Sequence, residues 1–234
     1  HEAESVITRI KSAVAQSGRR YGDMAILYRT NAQSRAIEEM CIRYNVPYRI
    51  VGGTRFYDRK EIKDIIAYLR LLYQPFDRPS LSRIVNIPTR GIGATSVEKF
   101  LSWQEQTSMN LIESMVAADL CTDLTPRART AFKEFGEGLQ SIQRTMGGMS
   151  LAELIQTVIK RFRYLEFLED GSPQSEDRVA NVRELVSDAS ERLDMDLAGY
   201  LEELALLSDL DSAGDSHNAI TLMTLHSAKG LEFP

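Results

Sequence analysis

Cysteine is scarce in this 234-residue chain: there are two, Cys41 and Cys121, far apart and in no CxxC pair. A zinc site and a disulfide scaffold are therefore not expected, and both thiols read as reduced, buried or half-buried groups of a cytosolic protein. Histidine is also scarce, at three, and His1 and His217 have no metal-ligand partner at useful spacing. No apolar run approaches the roughly 18 residues needed to cross a bilayer. The opening HEAESVITRI carries charges and no apolar core, so no secretory signal is expected there. A phosphate loop, GxxxxGK followed by Ser or Thr, is absent, and no Asp-Glu pair follows an apolar strand to hold magnesium and polarise water. Internal repeats and low-complexity tracts are also lacking.

What is present begins with charge asymmetry. The net charge is −5, which at first argues against a nucleic-acid partner. Yet between Arg49 and Phe100 there are 10 Lys/Arg against 5 Asp/Glu, and between Tyr164 and Ser216 there are 3 against 15. Phosphate binding follows the local field and not the total, so a basic face remains compatible with these numbers.

Apolar periodicity divides the chain. Val6, Ile7, Ile10, Ala13 and Val14 predict a helix that stops near Ser17-Gly18. Residues 24–28 (MAILY) form a short apolar run, as for a strand buried on both faces. A helix follows, with Ile37, Met40, Cys41 and Tyr44 on one face, broken at Asn45-Val46-Pro47. Residues 48–51 read as a second strand ended by Gly52-Gly53. This β–α–β order predicts part of a parallel sheet. From 54 to 216 no convincing strand occurs. Helical spacing marks Ile62, Ile65, Ile66, Leu69 and Tyr73, then residues 151–162, 179–189 and 197–204. Residues 209–218 are polar and contain Gly214, so they read as a linker. Residues 219–225 (AITLMTL) are strand-like again. The expected fold class is mixed α/β, predominantly α-helical, with a helical domain inserted into a loop of a parallel α/β domain.

Four segments carry candidate chemistry. In TLHSAKGLEFP a strand runs into His226-Ser227-Ala228-Lys229-Gly230, and the C-terminal ends of parallel strands are where α/β folds place ligands. Thr224, His226 and Ser227 can hydrogen-bond phosphate oxygens, although an ordinary N-capped turn reads the same way. Residues 25–35 likewise read as a strand and a capped helix, with Thr30 or Asn31 as cap. Lys63 and Arg70 are seven apart, so they share a helix face with Lys60 nearby, opposite an apolar side. That stripe is either a solvated face or a phosphate-binding one. In residues 86–96 (NIPTRGIGATS), a Gly-x-Gly turn between helices lets backbone approach a phosphate closely. There Arg90 adds charge and Thr95 and Ser96 add hydroxyls. Such an element grips duplex backbone without reading sequence, or is merely a helix-to-helix turn. Trp103, in a helical stretch after Phe100, reads as core and not as a stacking platform. The acidic run at 191–196 reads as solvated surface.

TLHSAKGLEF resembles the conserved motif V of the UvrD/PcrA/Rep family of superfamily 1 DNA helicases. The resemblance extends over essentially the whole chain, strongest at 23–100 and 219–234 and weak at 101–215. It implies that Thr224 and His226 contact a single DNA strand, and that Gly230 and Glu232 lie on the nucleotide side, Glu232 accepting a hydrogen bond from the ribose. It implies the same single-strand role for Arg29 and Asn31. The block with Lys63 and Arg70 is similar to the opening of the family's mobile accessory domain, 2B, where matching basic residues face duplex. Its R-G-I-G segment matches the family's duplex-gripping hairpin, implicating Arg90, Gly91, Gly93, Thr95 and Ser96.

By this resemblance, residues 1–52 and 217–234 are parts of an incomplete second RecA-like domain, and 53–216 form the 2B accessory domain. The chain is then expected to be a fragment of an ATP-dependent 3′-to-5′ DNA helicase in repair or replication. The phosphate loop is expected before His1 and the catalytic arginine beyond Pro234. ATP and Mg2+ serve the parent, and neither is expected bound here; no catalytic or metal residue is expected in this stretch. Single-strand and duplex-junction DNA are the implied partners, with repair or replication proteins, no membrane and no required oligomer. The implied location is cytoplasmic, with the bacterial nucleoid. A second reading stands beside this one: a self-contained, non-enzymatic DNA- or protein-binding module whose helical block does the work.

Overall fold

The computed structural model describes residues 2–212 and 218–229. Two compact units emerge: one joins residues up to Ile62 with those from Leu201 on, and the other is Lys63–Tyr200.

The first unit is a small α/β layer. Helix α1 (Glu2–Ser17) precedes β1 (Ala25–Tyr28), then come α2 (Ser34–Arg43), β2 (Tyr48–Val51) and, from the far end of the chain, β3 (Ile220–Thr224). The sheet order is β1-β3-β2, with both pairings parallel. The last strand thus lies between the first two. Its burial explains its composition: Ile220, Leu222 and Met223 are all but inaccessible, and a strand covered on both faces reads as a continuous apolar run. Ile7, Cys41, Val46, Tyr48 and Tyr28 pack around Ile220 and Leu222, with Ile37 and Met40 of α2 against them. Asn45, in the left-handed region at φ 52°, ends the α2 segment where the Asn-Val-Pro break is expected. Cys41 is a free buried thiol whose pKa is pushed up to about 12, first by burial and then by nearby Glu38.

The second unit is helical throughout its described residues. It contains most of α3 (Lys60–Tyr73), then α4 (Arg78–Ile84), α5 (Ala94–Gln104), α6 (Leu111–Val116), α7 (Pro126–Gln143), α8 (Leu151–Arg161), α9 (Tyr164–Leu168), α10 (Ser175–Glu191) and the start of α11 (Leu197–Ser212). Several starts carry explicit caps. Thr125 accepts from the Ala128 N–H just before Pro126, and Ser150 and Glu153 form a reciprocal capping box. The core is aromatic: Phe100 stacks on Phe132 at 4.4 Å and Tyr68 on Phe162 at 4.8 Å. The fold class expected from periodicity is the one observed. One expected boundary moves: α11 continues to Ser212, into the stretch read as linker from 209. After Gly199 in its first turn, no Gly or Pro occurs before Gly214. Trp103 is half-buried, tilted against Phe100 at 6.1 Å between centroids.

Candidate nucleic-acid interface

Two arrangements gather the candidate residues, one in each unit. The first is the C-terminal edge of the sheet. Tyr28 is in register with Thr224, and Val51 with Met223, so the three strands end nearly level. The segments just beyond them, Arg29–Asn31, Gly52-Gly53 and Leu225–Ser227, therefore form one rim.

The rim's backbone is tied down locally. Gln33 Oε1 accepts from the N–H groups of Arg29 (3.0 Å) and Thr30 (3.1 Å). The Leu225 N–H donates to the Tyr28 carbonyl at 2.9 Å. Thr224 Oγ1 accepts from the Ser227 N–H at 3.1 Å and lies 3.0 Å from Ser227 Oγ. Gly52 has φ +76°, and a Cβ there would come within 2.6 Å of Ser227 Oγ. Only glycine lets these two turns meet so closely. Across the rim, Asn31 Oδ1 lies 3.8 Å from where a Cβ on Gly53 would be. The side chains of Arg29 and His226 are exposed, and those of Asn31 and Thr224 half-buried. The edge thus presents a guanidinium, an amide, an imidazole and hydroxyls in one place. Gly230 and Glu232 lie outside the described residues. Among the described residues no group of three or more His, Cys, Asp or Glu is arranged to hold a metal ion.

Beneath this rim lies a buried polar cluster. Ser34 Oγ donates to Glu38 Oε1 at 2.6 Å, Glu38 Oε2 accepts from the Phe56 N–H at 3.0 Å, and Arg59 Nη2 donates to Ser34 Oγ at 2.7 Å. The Arg59 guanidinium also lies over the Phe56 ring at 5.1 Å. The cluster fastens the segment after β2 to α2. Sequence reading does not single out these three residues. A lone Glu on the inner side of α2 is the signal that would have shown it.

The second arrangement is the turn between α4 and α5. Asn86 Oδ1 accepts from the N–H groups of Arg90 (2.7 Å) and Ile92 (3.2 Å), closing the loop around the cis Ile87–Pro88 bond. Such local stapling is what an Asn in a tight turn does. Arg90 points inward: its Nη1 donates to the carbonyls of Ile84, Val85 and Ile87 at 2.9 to 3.1 Å, and its Nη2 to Tyr68 Oη at 2.6 Å. Its guanidinium lies 4.1 Å from the Phe135 ring centroid. Tyr68 in turn donates to the Ile87 carbonyl. Burial pushes the Tyr68 hydroxyl up to about 12, so it stays a neutral donor at physiological pH. Arg90 therefore builds the turn from within. Gly91 takes φ +75°, Gly93 caps α5 in extended backbone, and Gly91, Gly93 and Thr95 are exposed while Ser96 is half-buried.

Helix α3 adds a stripe. Glu61, Ile62, Asp64 to Leu69, Leu71 and Leu72 are all buried, and only Lys60, Lys63, Arg70 and Tyr73 are exposed. The helix is more deeply embedded than its periodicity predicts, yet what it leaves outside includes the three basic residues. Within it, Asp64 is buried and accepts from Tyr164 Oη and Arg83 Nε, each at 2.8 Å.

The profile of the UvrD-like helicase C-terminal domain matches residues 1–234. The chain belongs to that family. It is 41% identical over 240 residues to the ATP-dependent DNA helicase PcrA of Staphylococcus aureus, covering 100% of this chain and 32% of that protein. With the protein of the same name from Staphylococcus epidermidis it shares 40% over 240 residues, at the same coverage. The chain thus spans about a third of the length of the curated relatives it matches, 32% in each case. No described helix is long and apolar enough to cross a membrane.

Proposed function

We propose that this chain is the DNA-holding part of an ATP-dependent 3′-to-5′ DNA helicase acting in repair or replication. The unit with the sheet is read as part of the second RecA-like motor domain, and the helical unit as its inserted accessory domain. At the rim, Arg29, Asn31, Thr224 and His226 hold the single strand through its phosphates and bases. At the α4–α5 turn, Gly91, Gly93, Thr95 and Ser96 meet duplex backbone, Arg90 keeps that turn in shape, and Lys63 and Arg70 add charge from α3. Gly230 and Glu232 belong to the nucleotide side. ATP and Mg2+ act in the complete enzyme. This stretch has no phosphate loop, so it is expected not to hydrolyse ATP alone.

The observation that carries the reading is the level ending of three parallel strands, which brings chain segments near 30, 52 and 226 to one rim. Ligand sites of open parallel sheets lie at that edge. The test is fluorescence anisotropy with a duplex bearing a single-stranded tail, a blunt duplex and the tail strand alone. The chain is expected to bind the tailed duplex more tightly than either part. No binding to any of the three at low salt would contradict the proposal.

A further inference from the structure

With Arg90 turned inward, the turn has no outward cation of its own, yet a cation stands on it. Arg127, in the first turn of α7, lies with Nη2 3.2 Å, Nε 3.6 Å and Cζ 3.7 Å from the position a Cβ on Gly91 would take. The start of α7 is set by Thr125, whose side chain caps it, and by Pro126, whose fixed φ suits the first helical position. This brings the Nε–Nη2 edge of the guanidinium against the glycine from a different helix. Arg127 is exposed, and it makes no hydrogen bond, ion pair or ring contact with any described residue. Arg78, Arg83 and Arg178, by contrast, are each paired with a carboxylate.

The groups beside it are equally open. The N–H groups of Gly91, Gly93, Ala94 and Thr95 donate to no described residue, and the Thr95 and Ser96 hydroxyls are without hydrogen bonds among the described residues. An exposed cation, a close-approach glycine and a run of undonated N–H groups at the start of an eleven-residue helix together fit one kind of ligand, a phosphate diester.

We infer that Arg127 is a further DNA-contacting residue, which supplies the positive charge of the α4–α5 hairpin and binds a backbone phosphate of the duplex arm. This rests on the hairpin's role in duplex binding proposed above. A glycine at 91 then serves two purposes: it takes the left-handed conformation, and it leaves room for a guanidinium to lie across the turn.

The experiment uses the full 234-residue chain and a labelled tailed duplex, titrated at several salt concentrations. Arg127→Gln is expected to weaken binding about three- to tenfold at low salt and to lower the slope of log affinity against log salt by about 0.9, one phosphate contact. Arg127→Lys is expected to keep the slope, and affinity for the tail strand alone is expected not to change. The control is the pair Thr95→Ala and Ser96→Ala made together. If that pair weakens duplex binding while Arg127→Gln leaves affinity and slope unchanged, the role of Arg127 is refuted and the hairpin stands. Weaker binding by Arg127→Gln with an unchanged slope would also refute it, because the side chain would then only be shaping the turn. If neither change has any effect, the hairpin reading falls as well.

Discussion

At the edge of the sheet, groups from three distant stretches of chain meet because parallel strands end level with one another. At the α4–α5 turn, most of the groups proposed to meet phosphate lie within residues 91–96; other helices add Arg127 beside Gly91 and support from beneath. The difference decides what each surface depends on. The rim depends on register: Tyr28 opposite Thr224 and Val51 opposite Met223 bring Arg29, Gly52 and His226 together. The hairpin depends on a polar cluster, the half-buried Asn86 and Arg90 with the buried Tyr68, packed against Phe135 and Phe162. A charged residue can thus serve one surface by facing outward, as Arg29 does, and another by facing inward, as Arg90 does.

The largest expected effect breaks the second dependence. Arg90→Met leaves the Ile84, Val85 and Ile87 carbonyls without their shared donor, and should cost about 3 kcal/mol of stability. Denaturant unfolding followed by far-UV circular dichroism measures it. A loss of less than about 0.5 kcal/mol, the range of ordinary surface changes, would show that Arg90 is not structural.

A smaller effect is expected at the rim. Gly52→Ala adds a Cβ that would lie 2.6 Å from Ser227 Oγ, at a residue with φ +76°. Strain of about 1–2 kcal/mol is expected, with weakened single-strand binding because the Thr224–Ser227 turn must shift. Melting temperature and single-strand anisotropy together check this. Full retention of both would mean that the two turns do not need to touch.

Much of this was legible in the sequence, and what was not has a common cause. The strands at 24–28, 48–51 and 219–225 showed as short apolar runs, and they appear as Ala25–Tyr28, Tyr48–Val51 and Ile220–Thr224. Burial on both faces, expected for 24–28, belongs to Ile220–Met223 instead: Leu27 is 45% exposed, and Arg49 of the second strand is exposed. The Gly-x-Gly turn showed as a turn. The direction of Arg90 did not show, because its partners Phe135 and Phe162 come from α7 and the end of α8, and a local pattern carries no trace of them. Lys63 and Arg70 were placed on one face by spacing alone, whereas the near-complete burial of the rest of α3 comes from packing on several sides. The Ser34–Glu38–Arg59 cluster was hidden for the same reason: each residue alone reads as surface.

One crossed measurement tests the division of labour between the two regions most directly. Two multiple variants are compared with the unmodified chain: Arg29→Ala with Thr224→Ala and His226→Ala at the rim, and Lys63→Ala with Arg70→Ala and Ser96→Ala in the helical unit. Each is titrated against the tail strand alone and against blunt duplex over a range of salt. The rim variant should lose affinity for the single strand and keep its affinity for duplex. The helical-unit variant should do the reverse, with its duplex salt slope lower by about 0.9 for each phosphate contact removed. Equal losses of both variants on both DNAs, or no loss on either, would contradict the account.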